Sequence, residues 1–385
     1  MPADDAYLGR RVDVAHAAID DAYARFVRPL VPAGVALWDV HTHLGEDADG
    51  VSLQPDALLA GMSAYGVARA FVFPFRAASA REYTRLNDQV IEQCASSDGA
   101  LIPFCRSEPG ERFRVELERA LDRGAGGIKL HPAEGVFDFS HVDLRIAFAI
   151  AAERSVPLLV HAGRGVPPLA AKLAELIEAF PLAPTILAHA AIADMTGVVT
   201  SCAAAPNLYF DTSVWNALDV HALVARVPPE RILYGTDAPY YVAPCAQAKL
   251  LLALRTANAT GNDVANVIWQ NAARLAAGQE AEAPSAPRGT GAPSIPFDRL
   301  RAHEYLLMAV PLVWVRQPDA AGFLRLAIQA LRPESAELAT AIDLLELADV
   351  CWIEELESGG REELLALSWL TFRLIELADA LVLSG

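Results

Sequence analysis

The chain has 385 residues, of which 53% are hydrophobic, so it can bury a large core and is not disordered throughout. Its 48 acidic residues outnumber its 31 basic ones, and the formal net charge is −17. An acidic surface repels phosphate backbones, which argues against nucleic acid as a partner. The length suits one large α/β barrel with a smaller addition, or two to three ordinary domains.

The cysteines and the first residues indicate the expected cellular compartment. Five cysteines are scattered without a C-x-x-C pair, a pattern that predicts neither a disulfide framework nor a thiolate zinc site. The start, MPADDAYLGR, lacks the basic and apolar stretches of a signal peptide, and no apolar run is long enough to span a membrane. We therefore expect a cytoplasmic protein without a membrane partner.

An amphipathic helix over 11–28, within an N-terminal segment 1–34, is the first predicted element. Short apolar runs then alternate with helix-periodic stretches. The eight candidate strands are VALWDV from Val35, VARAFVF from Val67, ALIPFC from Ala100, GGIKL from Gly126, PLLV from Pro157, TILA from Thr185, NLYFD from Asn207 and RILYGT from Arg231. Eight such units predict an α/β fold, a (β/α)8 TIM barrel over 35–278. A doubly wound sheet is the alternative, but the Gly-rich first turn of that fold is absent.

The last third of the chain differs in composition. Residues 279–296 are rich in Pro and Gly and are predicted to be a linker. Residues 297–385 are predicted to be wholly helical, with 15 acidic residues, 7 arginines and no lysine. This C-terminal helical extension fits a cap packed on the barrel, a lid, a homodimer contact or a docking site for a protein partner.

Polar side chains stand where the predicted strands end, which is where a (β/α)8 barrel forms its site. They are His41 and His43, Lys129 and His131, His161 and Arg164, His189, and Asp237 and Tyr240. Strand residues two apart share a face, so His41 and His43 point the same way. Neutral imidazoles with a carboxylate are an N/O donor set that suits Zn²⁺, and Mn²⁺ or Fe²⁺ are also compatible.

Each of these residues also has an ordinary structural explanation. Asp237 alone could cap a helix before Pro239, and Lys129 alone could be an ion-pair partner. A histidine alone is often a satisfied core residue. Their joint occurrence at successive strand ends favours metal binding over all these explanations together.

The motifs resemble the amidohydrolase superfamily, in the amidohydrolase-2 branch that includes aminocarboxymuconate-semialdehyde decarboxylase. The resemblance covers roughly 35–278 and rests on a set of motifs, not on one. The motifs are HTH at His41, NDQV at Asn87, GIKLHPAEG, VPLLVHAGRG, TILAHAA, YFDTS, LYGTDAPY and NAARL at Asn271. Residues 279–385 lie outside it.

The resemblance implies a role for each strand-end residue. His41, His43, His161 and Asp237 correspond to the ligands of the principal metal, and His189 to an acid/base or oxyanion-stabilising histidine. In binuclear relatives, a second metal is held by the histidine that corresponds to His189 and by a carbamylated lysine that corresponds to Lys129. Only three of the 31 basic residues are lysines, and a guanidinium cannot form a carbamate, so this lysine is notable. One ion is the default expectation, and two if Lys129 is carbamylated.

The expected chemistry follows from these assignments. The metal acidifies a water molecule, Asp237 accepts and transfers its proton, and His189 stabilises the developing oxyanion. Arg164 and Arg76 could grip an anionic small-molecule substrate, although each is as well explained by a surface ion pair. We expect His131 to support Lys129 or a ligand near the substrate, and Tyr240 to line the mouth.

Three functions remain open from the sequence. The first is a hydrolase of an amide, cyclic amide, lactone or ester, and the second is a non-oxidative decarboxylase with the same ligands. In the resembled family, decarboxylases more often carry a proline after the strand-5 histidine, where this chain reads VHAGRG, and this difference and the retained Lys129 favour hydrolysis. The third, a non-catalytic binding protein that acts through its helical tail, conflicts with the complete ligand set.

Overall fold

A computed structural model describes residues 5–48, 50–202, 205–289, 294–357 and 365–385. Within these ranges the chain forms nine strands. They are β1 Leu37–Glu46, β2 Ser52–Leu53, β3 Val67–Pro74, β4 Leu101–Arg106, β5 Gly127–Leu130, β6 Leu158–Val160, β7 Thr185–Leu187, β8 Leu208–Asp211 and β9 Ile232–Leu233. All eight predicted strands are present, and β2 is an addition that pairs antiparallel with the end of β1.

Helices alternate with these strands and then continue alone to the end of the chain. Their bounds are α1 Asp5–Ala22, α2 Pro55–Ala64, α3 Tyr83–Ala95, α4 Phe113–Asp122, α5 Pro132–Gly135, α6 Leu144–Arg154, α7 Ala170–Ala179, α8 Met195–Ser201, α9 Ala217–Val224, α10 Ala243–Thr256, α11 Gly261–Ala265, α12 Asn271–Ala276, α13 Phe297–Trp314, α14 Ala320–Ala330, α15 Ala336–Glu357 and α16 Leu365–Ser384. None of the described helices is both long enough and apolar enough to cross a membrane.

The sheet runs in the order β2-β1-β3-β4-β5-β6-β7-β8-β9, and every neighbouring pair except β1 with β2 is parallel. The segment after β9 returns to β1. The Val40 amide donates to the Tyr234 carbonyl at 3.0 Å, and the His43 amide donates to the Ala238 carbonyl at 2.8 Å. These bonds close the sheet, and the predicted TIM barrel is confirmed.

The barrel interior is filled by side chains from alternate strand positions. Phe71 and Phe104 stack with their ring centroids 4.7 Å apart, and Leu159 and Ile186 pack in the same cluster. Leu275 of α12 joins this cluster beside the beginnings of the strands. Because α12 covers the amino-terminal end, the opposite, carboxyl end remains for a site.

Two predicted boundaries differ from the structure. The first helix begins at Asp5 and ends at Ala22, where a π-helical turn, Tyr23–Val27, replaces the predicted continuation to residue 28. Strand β1 extends to Glu46 because β2 pairs with its last residues. His41 and His43 therefore lie within a strand, not after one.

The C-terminal helices pack on the barrel. Helix α16 lies against α10, α1, α13 and α15, with Leu374, Leu377 and Leu381 fully buried in the core shared with the barrel helices. The segment predicted as a linker has no helix or strand in its described parts, 279–289 and 294–296. It is held to the barrel nonetheless, because Arg288 forms two hydrogen bonds of 2.9 Å with Asp263.

Candidate metal centre

The two histidines of β1 face one carboxylate. The Nε2 atoms of His41 and His43 lie 3.1 Å and 3.2 Å from the same Asp237 Oδ1. Asp237 follows β9 with φ +67°, and its amide donates to the His41 carbonyl at 2.8 Å. This tight turn brings the carboxylate over β1, so residues 41, 43 and 237 form one cluster.

His189 reaches the same cluster from β7. It begins a turn in which three successive residues have φ between +54° and +56°. Its amide donates to Asp211 Oδ1 at 2.8 Å, and its Nδ1 lies 2.7 Å from the Ser213 carbonyl oxygen. That carbonyl accepts a hydrogen bond from Nδ1–H, so Nε2 of the neutral ring carries the lone pair. Potential ligand atoms of His41, His189 and Asp237 all lie within 4.8 Å of one another.

Asp211, the last residue of β8, orients His41. Its Oδ2 lies 2.7 Å from His41 Nδ1, and its Oδ1 accepts from the Ser213 hydroxyl at 2.5 Å. A carboxylate on Nδ1 fixes the tautomer whose Nε2 is free to ligate a metal and makes that nitrogen more basic. Both carboxylate oxygens are occupied and the side chain is fully buried.

Lys129 and His161 complete the ring of strand-end residues. Lys129 Nζ lies 3.0 Å from His41 Nε2 and 4.3 Å from the centroid of the Phe73 ring. The ring of His161 lies 4.7 Å from that of His189, and its Nε2 contacts the Arg164 carbonyl oxygen at 3.1 Å. The five predicted metal-centre histidines and acids and Lys129 therefore lie at the carboxyl end of the barrel. Among the described residues, only His41, His189 and Asp237 form a group of three whose ligand atoms all lie within 4.8 Å of one another, and the predicted ligands His43 and His161 are not part of that group.

Burial shifts the protonation equilibria of the basic side chains at this site. It lowers the pKa of His43 to about 3 and that of His161 to about 2, so both imidazoles are neutral near pH 7. It also lowers the pKa of Lys129 to about 7. Burial would raise the pKa of Asp237, but His41 and His43 hold it well below its usual range, and the carboxylate stays ionised.

The residues present fit a divalent metal. The neutral imidazoles of His43 and His161 and the ionised carboxylate of Asp237 supply donors that suit Zn²⁺ or another transition metal. Burial and Lys129 lower the pKa of His41, but Asp211 and Asp237 more than offset them and raise it, so His41 would release a proton on binding the metal. Among the described residues, the buried Nδ1 atoms of His43 and His161 have no hydrogen-bond partner. Buried polar atoms without partners are rare in folded proteins, so a ligand for one or both is expected here.

The residues predicted to contact substrate lie around this cluster. Arg164 is exposed, and its guanidinium lies 5.0 Å from the centroid of the Trp215 ring. The Tyr240 ring lies 5.9 Å from that of His43, and its hydroxyl donates to Asp47.

Arg76 lies farther out, on the wall of a cavity of about 590 Å³ that Asp47 and Arg85 also line. His131 stacks on His161, with ring centroids 3.8 Å apart, and its Nδ1 accepts from the Glu134 amide at 3.2 Å. It thus supports a predicted ligand, His161.

Asp211 and Arg106 are not among the site residues predicted from the sequence. Arg106 ends β4, is 1% exposed, and forms an ion pair with Glu134. Each of the two ends a predicted strand or follows it directly, so the strand-end rule that found the histidines could have found them. Their roles depend on contacts with residues distant in the sequence.

The C-terminal region supports the loop after β8. Lys249 Nζ donates to the carbonyl oxygens of Val214 and Trp215 and lies 3.4 Å from Glu376 Oε2 of α16. The Trp215 ring stacks on that of Trp314 of α13, with centroids 5.3 Å apart. The same loop provides the Ser213 carbonyl that orients His189, so the C-terminal helices contact the wall of the site.

Fold and site together define a TIM-barrel protein with a candidate metal centre at the carboxyl ends of its strands. A family model for amidohydrolases, the amidohydrolase-2 type, matches residues 38–275. The chain therefore belongs to this amidohydrolase family, as its motifs predict. The match ends at Leu275, so the segment 279–296 and helices α13 to α16 lie outside it. No curated protein matches the chain significantly.

Solved structures show the same fold at low sequence identity. An uncharacterised TIM-barrel protein from Bordetella bronchiseptica is 16% identical with a TM-score of 0.50, and covers 63% of this chain and 99% of its own. The IDCase of Metarhizium anisopliae is 12% identical with a TM-score of 0.50, over 64% and 98%. The 5-carboxyvanillate decarboxylase of Sphingomonas paucimobilis is 15% identical with a TM-score of 0.48, over 63% and 99%. The first two of these likenesses establish the fold alone.

Proposed function

We propose that the protein is a metal-dependent hydrolase that cleaves an amide, cyclic amide, lactone or ester bond in a small anionic molecule. The Nε2 atoms of His41 and His43, at 3.1 Å and 3.2 Å from Asp237 Oδ1, support a metal site most directly, and a ligand atom of His189 lies within 4.8 Å of those of His41 and Asp237. The proposed metal is Zn²⁺, with Mn²⁺ or Fe²⁺ as alternatives, and one ion is bound by default. His41, His43, His161 and Asp237 would hold it.

A divalent metal bound there would lower the pKa of a water molecule and polarise the substrate carbonyl. Asp237 would accept the proton of the attacking water and return it to the leaving group, since its carboxylate is ionised and lies between two histidines. Burial lowers the pKa of His189, so its Nε2 would act as an acid/base, and after taking up a proton from solvent it would donate to the oxygen on which negative charge develops. The Ser213 carbonyl keeps the His189 ring in place for this.

The proposal of an anionic substrate rests on Arg164 and Arg76, although the cavity that Arg76 lines also carries Glu46, Asp47 and Glu82. Arg76 and Arg85 line the 590 Å³ cavity, and Asp47 on the same wall accepts from Tyr240, whose ring contacts that of His43. The Arg164 guanidinium lies 5.0 Å from the centroid of the Trp215 ring. A guanidinium binds a carboxylate through two parallel hydrogen bonds, which orients the molecule as well as attracting it.

The state of Lys129 would distinguish a hydrolase from a decarboxylase. Its amine lies 3.0 Å from His41 Nε2, where a carbamate could share a ligand site with a second metal. A binuclear centre would favour hydrolysis. A mononuclear centre leaves non-oxidative decarboxylation as the alternative reaction.

The first test is elemental analysis of the protein, purified without chelators or a metal-binding tag. About one or two divalent ions per chain are expected, and two would support carbamylation of Lys129. A chain that takes up no metal even after reloading would overturn the proposal. Hydrolysis of a panel of anionic lactones and cyclic amides is then measured beside carbon dioxide release from aromatic and unsaturated acids.

Two site variants and one matched control complete the test. His41→Ala and Asp237→Asn should lose bound metal and at least about 100-fold in turnover, because each removes a ligand. His141→Gln, a histidine outside the site, should retain both. Wild-type turnover in either site variant would remove the site assignment.

A homodimer through the C-terminal helices is also proposed. Helix α13 exposes Phe297, Leu307, Met308 and the adjoining Val315, at 76%, 38%, 49% and 63%. Exposed apolar side chains clustered on one element are typical of interaction surfaces. Light scattering should give twice the chain mass for the wild type and a monomer for Met308→Glu, and a monomeric wild type would refute the dimer.

A further inference from the structure

A second cavity, whose wall includes none of the proposed metal ligands, lies between α1, α2, α10 and α16. Its volume is about 310 Å³, at the lower end of the range of small-molecule sites. Most of its wall is apolar, with Leu58, Met62 and Val67 on one side and Tyr241 on the other. The cavity therefore suits the apolar body of a small ligand.

Arg373 of α16 brings a positive charge to this wall. Among the described residues no carboxylate lies within ion-pair distance of its guanidinium, and no group of these residues hydrogen-bonds to its side-chain nitrogens. Burial lowers its pKa, because the charged form loses water without gaining a counter-ion. A partly buried cation without a partner is costly, and an anion bound in the cavity would offset that cost.

The surroundings of Arg373 favour an anion. The same guanidinium borders an adjoining cavity of about 370 Å³, and His16 of α1 lies at the edge of both. The acidic residue on the wall is Asp39, whose carboxylate already accepts from the Thr236 hydroxyl at 2.6 Å and from two backbone amides at 3.0 Å. Asp39 is thus committed to the barrel and does not serve as the partner of Arg373.

The rim of the cavity is open because α2 presents small residues there. Ala57 and Gly61 are one helical turn apart and both are exposed on the cavity wall. A Cβ atom added at Gly61 would meet nothing within 4 Å. The entrance therefore depends on the size of these two side chains.

We propose that this cavity is a binding site for a small monocarboxylate with an apolar body, separate from the metal centre. Arg373 binds the carboxylate, and the side chains of α2 and α10 enclose the apolar part. The site lies beside Thr236 and Ala238, which flank Asp237 in the sequence. The inference goes beyond the proposed hydrolase and does not depend on it.

The test is a calorimetric titration of the purified full chain with hexanoate, and with hexanamide as its neutral counterpart. One hexanoate per chain is expected, with hexanamide binding about 10- to 100-fold more weakly, the range for loss of a charge-assisted hydrogen bond. Equal binding of the two probes, or no binding of hexanoate, would overturn the proposal.

Variants locate the bound molecule. Arg373→Gln should weaken hexanoate binding about 10-fold or more, and Arg325→Gln, an exposed arginine of α14, should leave it unchanged. Gly61→Leu keeps Arg373 and closes the rim, so it should weaken binding even if Arg373→Gln fails to fold. Wild-type affinity in both cavity variants would overturn the proposal.

A third variant, His41→Ala, tests whether hexanoate binds at the metal centre instead. Hexanoate should bind His41→Ala as it binds the wild type, because the proposed site contains no metal ligand. Binding that disappears in this variant would place the carboxylate at the metal centre and overturn the second site. The result is the same whether or not the protein proves to be a hydrolase.

Discussion

Gly163, two residues after His161, leaves room for the rings of two site histidines. A Cβ atom at this position would lie 2.8 Å from Cδ2 of His189 and 3.1 Å from Cε1 of His161. Carbon atoms pack at about 3.5 to 4.0 Å, so the variant Gly163→Ala must displace the His189 ring by roughly 0.7 Å or more. The Ser213 carbonyl at 2.7 Å from His189 Nδ1 opposes that movement.

The expected result is a large loss of function with a moderate loss of stability. A misplacement of about 1 Å at a reacting group costs on the order of 100-fold in rate, and overpacking costs about 1 to 3 kcal/mol. Turnover, bound metal per chain and thermal melting are measured on the same preparation.

Gly322→Ala is the matched control for this substitution. Gly322 lies in α14, where an added Cβ would meet nothing within 4 Å. Alanine there should stabilise the helix by about 1 kcal/mol and leave turnover unchanged. Wild-type turnover and metal content in Gly163→Ala would refute the packing of His161 and His189 described above.

Three further predictions concern the metal and the pH dependence of stability. Asp211→Asn should weaken metal affinity about 10- to 100-fold, because it removes the carboxylate on His41 Nδ1; competition with a chromophoric chelator measures this, with the exposed Asp56→Asn as control. Dialysis against a chelator should abolish turnover and lower the melting temperature, since a ligand at 100 times its Kd stabilises by about 2.7 kcal/mol, and Zn²⁺ should restore both. Burial lowers the pKa of His303, but Asp379 at 2.7 Å more than offsets this and raises it above its ordinary value of 6.5. The stability from this pair is therefore fully present below about pH 6.5 and is lost as the pH rises through the raised pKa. Urea unfolding at several pH values should show wild type and His303→Gln converging as the pH rises, and a constant difference would contradict this.

The strand-end residues of the candidate site could be predicted from the sequence because of the geometry of parallel strands. All strands of a (β/α)8 barrel run in one direction, so their carboxyl ends meet at one rim. Polar residues that close short apolar runs, such as His41, Lys129, His189 and Asp237, must then lie close together. The family motifs pointed to the same residues.

Other features depended on contacts that no local pattern encodes. Strand β2 has two residues, too few for a periodic signal. Asp211 ends a strand like many aspartates, and only the folded chain places it 2.7 Å from His41, 170 residues away. Likewise, the sequence does not distinguish Arg373 from other helical arginines, and only the packing of α16 against α10 places it on a cavity wall.

The order and spacing of apolar and polar residues in the sequence were enough to predict the barrel, its eight main strands and the residues at its rim. These are consequences of local periodicity and of one repeated connection. The tertiary structure was needed to show which carboxylate orients which histidine, how α16 reaches the loop after β8, and where a cation lies without a partner. Those features arise from packing between segments far apart in the chain, where distances of a few tenths of an ångström decide whether two groups interact.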